Sequence, residues 1–244
     1  MKIIHCENAT ELGRRAAAQA AGLLRGAIAA QGYARLLVST GASQFTLFEA
    51  LIREDVDWGK VTMFHLDEYI KMDETHPASF IGYLKKRFTG IVSLGAVHFV
   101  DGTGDIDAAI AALTTLIREK PIDVGLIGIG ENGHIAFNDP PADFEDNSAY
   151  KVVQLDAKCR MQQFGEGWFP TLDDVPKEAI SMTVKQILSC KHIISAVPYA
   201  VKAQAVYDTI NAAEVTPQVP ATALRQHDDV TLYLDADSAS MLPK

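Results

Sequence analysis

Cysteine is scarce in this 244-residue sequence: Cys6, Cys159 and Cys190 are scattered, odd in number and never at CxxC spacing. That argues against a disulfide framework or a cysteine zinc site and fits a reducing cytoplasm. Basic residues are also in deficit, with 22 Lys and Arg against 31 Asp and Glu and a formal net charge of -9. A surface of that sign argues against nucleic acid and anionic membranes as partners, while leaving room for a local basic pocket that takes a phosphorylated metabolite. Long apolar runs are missing. The N-terminus MKIIHCENATELGRRAAAQAAGLL interrupts its alanines with Arg14, Arg15 and Gln19, so it reads as neither a signal peptide nor a membrane span. Repeats, low-complexity tracts and linkers are absent too, and residues 1–244 are read as one domain.

What is present is an ordinary globular composition, 48% hydrophobic and 22% charged, sufficient for the core of one α/β domain. Strand-like runs alternate with helix-like periodicity. Lys2–His5 reads as a strand, followed by an alanine-rich helix capped by Asn8 or Thr10 and ended at Gly32. Strands are expected at Arg35–Ser39, Val61–Leu66, Val97–Val100, Ile122–Ile127, Lys151–Leu155, Ala179–Thr183, His192–Val197 and Val230–Leu234. Helices are expected after Ser43, over Pro77–Phe88, over Ile106–Ile117 and from Ala200 to about Ile210. Lys85, Lys86 and Arg87 read as dipole partners at the end of the second of these.

Three strand ends carry the polar chemistry. The run Ile122–Ile127 leads into GIGENGHIAFNDPP, whose glycines and prolines mark an irregular loop. Ligands of open parallel sheets sit beyond the carboxyl ends of strands, which is where Glu131, Asn132, His134, Asn138 and Asp139 fall. Arg35–Ser39 ends in Thr40-Gly41-Ala42-Ser43 before a helix start, a small-residue turn whose free backbone N–H groups suit a phosphate. Val61–Leu66 ends in Asp67-Glu68-Tyr69, where the acids could equally be solvated or cap a helix. His65 and Asp67 share a strand face, but with His134 they lack local ligand spacing, so no metal site is expected. Farther on, a polar helix or loop through Arg160, Gln162 and Gln163 precedes FGEGWFPTLDDVP, which is either a lid over a pocket or a surface loop anchored by Trp168 and Phe169.

Taken together, STGAS, DEY and GENGHIAFND resemble the glucosamine-6-phosphate deaminase/isomerase family, with weaker similarity through VPKEAISMT, the Lys202 helix and PATALRQH. The resemblance implies a modified Rossmann-like, three-layer α/β sandwich with a mostly parallel sheet. It also implies aldose-to-ketose isomerisation of an amino sugar phosphate with hydrolytic loss of ammonia, using no cofactor and no metal. On that likeness Asp67 is the base that moves a proton from C2 to C1, and His134 opens the sugar ring, a task suited to an imidazole. Asp139, where the family usually has Glu, would orient His134, and Asn132 would be a hydrogen-bonding partner. Thr40, Gly41, Ala42, Ser43 and Lys202 would hold the phosphate. The family's RFF-like arginine is replaced by Gly167-Trp168-Phe169, which leaves Arg160 as its expected substitute.

Two other functions compete. A 6-phosphogluconolactonase-like lactone hydrolase shares the architecture and a GH pair in the same loop, although DEY with HIAFND fits the deaminase pattern better. A sugar-phosphate-binding paralogue without turnover is the second. The oligomeric state is not legible in the residues.

Overall fold

The fold is that of a computed structural model describing residues 1–155, 157–165 and 167–243, with the side chains of Lys158 and Gln162 also outside the description. Glu166, within the glycine- and aromatic-rich segment, therefore lies outside the described residues. Seven strands form one parallel sheet: β1 (Lys2–His5), β2 (Ala34–Val38), β3 (Val61–His65), β5 (Ala96–His98), β6 (Val124–Leu126), β9 (His192–Val197) and β10 (Val230–Leu234). Their order is β1-β10-β9-β6-β2-β3-β5. The remaining strands, β4 (Asp67–Tyr69), β7 (Tyr150–Gln154) and β8 (Glu178–Met182), make a separate antiparallel sheet in the order β4-β8-β7. The expected parallel sheet is present, and DEY is a strand in its own right rather than only the tail of β3.

The central strands are mostly apolar because both faces of the sheet are covered, and all five residues of β2, Arg35 included, are buried. On one face lie α1 (Ala9–Gln31) and α2 (Phe45–Leu51); the other carries α4 (Ile106–Arg118) and α7 (Ala203–Asn211). Helix α1 begins where the Asn8 side chain accepts the Glu11 N–H and ends at Gly32 in the left-handed region. Its buried face is nearly all small: Gly13, Ala16, Ala17, Ala20 and Ala21. A side chain at position 13 would lie 2.4 Å from the Thr46 carbonyl carbon, so α2 can approach only because that residue is glycine.

The predicted helix over Pro77–Phe88 is shorter: α3 (Phe80–Leu84) passes into a π turn over Lys85–Thr89. Its basic residues are engaged sideways, Lys85 with Glu74 at 2.5 Å and Arg87 over the Phe45 ring at 3.6 Å. Helix α5 (Ala157–Gly165) and the short α6 (Val184–Ile187) flank the antiparallel sheet. Among the described residues, no helix is long and apolar enough to cross a membrane.

The chain runs from β2 outward to β3 and β5, then returns across to β6, β9 and β10. The neighbouring strands β2 and β6 thus feed loops that diverge, leaving a crevice at their carboxyl ends.

Candidate active site

A cleft of about 280 Å³ occupies that crevice. The loops after β2, β3, β6 and β9 all reach it, which follows from their parallel direction. From the first come Thr40, Gly41, Ala42 and Ser43, from the second Asp67, from the third Glu131 and His134, and from the last Tyr199 and Lys202. Residues separated by up to 162 positions in sequence are therefore gathered by strand order alone.

Two of these loops are tied together at their roots. Ser39 Oγ accepts the Gly128 N–H at 3.0 Å, and Ser39 N–H donates to Leu126 O at 2.8 Å. Gln44, buried at the end of the turn, donates through Nε2 to Ser43 Oγ at 3.0 Å and to Ala196 O at 3.1 Å. The small-residue turn is held between β6 and β9 with Gly41 at φ +98, a conformation that favours glycine.

Asp67 and Glu68 point to opposite sides, as successive strand residues must. Glu68 is fully buried. Its carboxylate accepts the Tyr69 N–H, the Ser79 hydroxyl and the Ile81 N–H, each at 2.9 Å, so it ties β4 to the start of α3 and fixes Phe80 on the cleft wall. The helix-cap reading therefore holds for Glu68 and not for Asp67. Asp67 pairs with Ser181 in the antiparallel sheet, and its side chain lines the cleft. Burial first, and then the neighbouring Glu68 charge, push the Asp67 carboxyl up to about 8.

The loop 130–134 is a tight turn beneath the imidazole of His134. Gly130 N–H donates to His134 O at 2.8 Å, and His134 N–H donates to Asn132 Oδ1 at 3.0 Å. The ring then lies directly on Gly130, where an added Cβ would meet Nε2 at 2.1 Å. His134 Nδ1 stands 3.1 Å from Asp139 Oδ1, and Asn132 Nδ2 donates to the same oxygen at 3.0 Å. The His134–Asp139 contact is an ion-pair distance without in-line hydrogen-bond geometry, since no partner satisfies Nδ1 along its N–H direction. Burial acts to raise the Asp139 carboxyl. His134, Asn132 and the Cys159 thiol outweigh it and hold the group down at about 2. Asn132 and Asp139 thus stand behind His134 rather than in the cleft wall, while Asn138 is a structural residue whose Nδ2 donates to Ile135 O and Met182 O, both at 2.8 Å.

Lys202 enters from the turn after β9. Tyr199, at φ +81, begins that turn, and its N–H donates to both oxygens of the buried Asp235 at 3.2 and 3.1 Å. This is an uncommon conformation for a residue with a side chain. It directs both Tyr199 and Lys202 into the cleft. Among the described residues lining the cleft, Lys202 is the only lysine or arginine.

Arg160 does not join it, which corrects the expectation from sequence. Cys159 and Gln163, one turn apart, form the buried face of α5, and Arg160 lies beside that stripe. Its guanidinium instead donates to Val175 O at 3.2 Å and Leu172 O at 2.6 Å, satisfying carbonyls of the following turn. The aromatic segment divides between its two readings. Phe169 is buried against Tyr69 and His76, an anchor, whereas Trp168 is 42% exposed and lines the cleft. Gly167 sits at φ +81, so the position of the absent arginine is held in a backbone conformation suited to glycine.

His65, set beside Asp67 in sequence, is spent elsewhere. Its Nε2 accepts the Val100 N–H at 2.7 Å, and complete burial lowers it to about 3, keeping it neutral. Among the described residues, no three His, Cys, Asp or Glu side chains are grouped to hold a metal. Gln163 and Tyr199 were not legible as site residues. The first is one polar residue in a helix, and the second depends on a backbone angle.

This arrangement can be compared with known proteins. The family described as glucosamine-6-phosphate isomerases/6-phosphogluconolactonase matches residues 7–233. The chain belongs to this family. Glucosamine-6-phosphate deaminases of Lactobacillus delbrueckii subsp. bulgaricus and Streptococcus sanguinis are each 32% identical over 243 residues. The former alignment covers 99% of this chain and 100% of the relative, the latter 99% of both. A solved monomeric glucosamine-6-phosphate deaminase superposes with a TM-score of 0.88 at 30% identity, covering 99% of this chain and 100% of that one. A 6-phosphogluconolactonase from Thermotoga maritima, 14% identical with a TM-score of 0.79 over 96% of this chain and 99% of its own, shares the glucosamine-6-phosphate isomerase/6-phosphogluconolactonase fold.

Proposed function

We propose that the protein is a glucosamine-6-phosphate deaminase, converting an amino sugar phosphate to a ketose phosphate and ammonia. The observation that carries this reading is the placement of Asp67 and His134 in one cleft that also holds the Thr40–Ser43 turn and Lys202. The deaminase relatives, alike over nearly their full length, support it.

Each group has a task that its surroundings suit. The turn offers backbone N–H groups and hydroxyls, and Lys202 a positive charge, to a phosphate at one end of the cleft. His134, backed by Asp139 and Asn132, moves a proton between the ring oxygen and the anomeric hydroxyl to open the sugar. Asp67 then takes the C2 proton and returns one to C1. The electron pair released at C2 forms the C1=C2 double bond of an enolamine while the C1 carbonyl π pair moves to O1, which takes up a proton; protonation at C1 then draws the nitrogen lone pair into a C=N bond at C2. Water adds to that carbon and ammonia leaves, which makes the second half of the reaction a hydrolysis. A buried carboxylate is suited to this work because desolvation makes it a stronger base than one in water.

The test is ammonia release from glucosamine 6-phosphate by purified protein, with loss of C2 deuterium to solvent as the isomerisation readout. Asp67→Asn should abolish both. Hydrolysis of 6-phosphogluconolactone above the spontaneous rate, without ammonia release from the amino sugar, would overturn the assignment in favour of the lactonase reading.

A further inference from the structure

The cleft has a wall that the proposed chemistry does not use. A second cavity of about 280 Å³ adjoins it, and Gly41, Ala42, Phe80, Gln163 and Trp168 line both. Gln163 is 7% exposed, and its Oε1 accepts the Tyr69 hydroxyl at 2.5 Å. The Tyr69 ring is wedged between Phe80 at 5.1 Å, Phe137 at 5.3 Å and Phe169 at 5.8 Å, so that hydroxyl is held in place. With the oxygen end committed to Tyr69, the amide nitrogen is the end left to face the cavities. Among the described residues no hydrogen bond engages that nitrogen. That nitrogen is not among the sealed, partnerless atoms of the core, so it reaches the open cavities, where an acceptor on a ligand can take the place of water.

We propose that Gln163 is a substrate-binding, specificity-determining residue whose amide nitrogen donates to an oxygen of the bound sugar phosphate where the cleft meets the second cavity. The inference rests on the deaminase reading. Gln163 stands across from the Gly41-Ala42 part of the turn and offers a neutral donor on the side of the cleft where arginine is absent. The DEY strand then contributes twice, Asp67 toward the reacting carbons and Tyr69 toward the residue that grips the sugar.

Two substitutions separate this from a purely structural role. Gln163→Glu keeps the acceptor for the Tyr69 hydroxyl while removing the donor, and Gln163→Leu keeps approximate volume while removing both. In the leucine variant KM for glucosamine 6-phosphate should rise about tenfold to hundredfold, with kcat within about threefold of wild type. The Kd for the open-chain 2-amino-2-deoxyglucitol 6-phosphate, which cannot isomerise, should rise in parallel by calorimetry. If the acceptor is a phosphoryl oxygen, the glutamate variant will bind far more weakly than the leucine variant, because its charge repels the anion. If the acceptor is a sugar hydroxyl, the order will reverse and the glutamate variant will bind more tightly than the leucine variant, since a carboxylate can accept from a hydroxyl. Both variants binding the hexitol phosphate within twofold of wild type would overturn the proposal while leaving the deaminase reading intact. Wild-type protein that neither binds the hexitol phosphate nor releases ammonia would overturn both.

Discussion

Replacing Gly130 with alanine adds a single methyl group at the most crowded point of the site. The new Cβ would lie 2.1 Å from His134 Nε2 and 2.3 Å from Cδ2 and Cε1. Ordinary contact requires about 3.4 Å or more, so the imidazole must withdraw by roughly 1 Å. The ring, not the backbone, will give way. Gly130 does not have a positive φ, so alanine is tolerated there without backbone strain, and the clashing atoms belong to a side chain. Stability should stay within about 1 kcal/mol of wild type, because the reduced freedom of the unfolded chain offsets part of the cost. Activity should not survive as well, since a displacement of about 1 Å at a reacting group costs on the order of a hundredfold in rate. Steady-state ammonia release and thermal unfolding of Gly130→Ala would be measured beside His134→Ala and the double variant. If the methyl acts by moving the ring, it will add nothing once the ring is gone. A further large loss in the double variant, or full activity in the single one, would refute this account.

The raised Asp67 carboxyl sets two pH effects. A base must be ionised to act, so kcat/KM should climb with pH and level off above about 8, the free-enzyme value for Asp67. Asp67 binds its proton more tightly folded than unfolded, so its stabilising contribution is complete below pH 4 and is lost as pH rises through 8. Asp67→Asn should therefore be inactive yet more stable than wild type, with a gap in denaturant midpoint that opens between those values; a gap of the opposite sign would contradict the burial argument. Asp139 has the opposite sign, being held down at about 2. Asp139→Asn should lose about 2 kcal/mol of stability at pH 7, and the deficit should shrink as pH falls from 4 to 2, in denaturation curves taken across that range. Arg160→Met should cost about 1–3 kcal/mol through two abandoned carbonyls while leaving KM for the sugar phosphate unchanged; a marked rise in KM would return Arg160 to the phosphate site.

By itself the sequence determined the parallel sheet, because short runs such as Leu36–Val38 and Val124–Leu126 carry no polar side chain on either face and leave few alternatives to a covered strand. It also determined which strand ends are polar, and so the membership of Asp67, His134 and the Thr40–Ser43 turn in one cleft, since parallel strands deliver their loops to the same edge. Tertiary structure alone decided the rest. Whether Arg160 or Gln163 faces the cleft is a matter of helix rotation, and three residues along one helix separate a cleft-wall residue from a loop anchor. The same holds for Glu68, an acid that reads as either solvated or a helix cap until the start of α3 is brought against it. The support of His134 by Gly130, and the entry of Lys202 through the strained Tyr199, depend on backbone angles and close approaches. These are set by neighbours distant in sequence, and no local pattern encodes them.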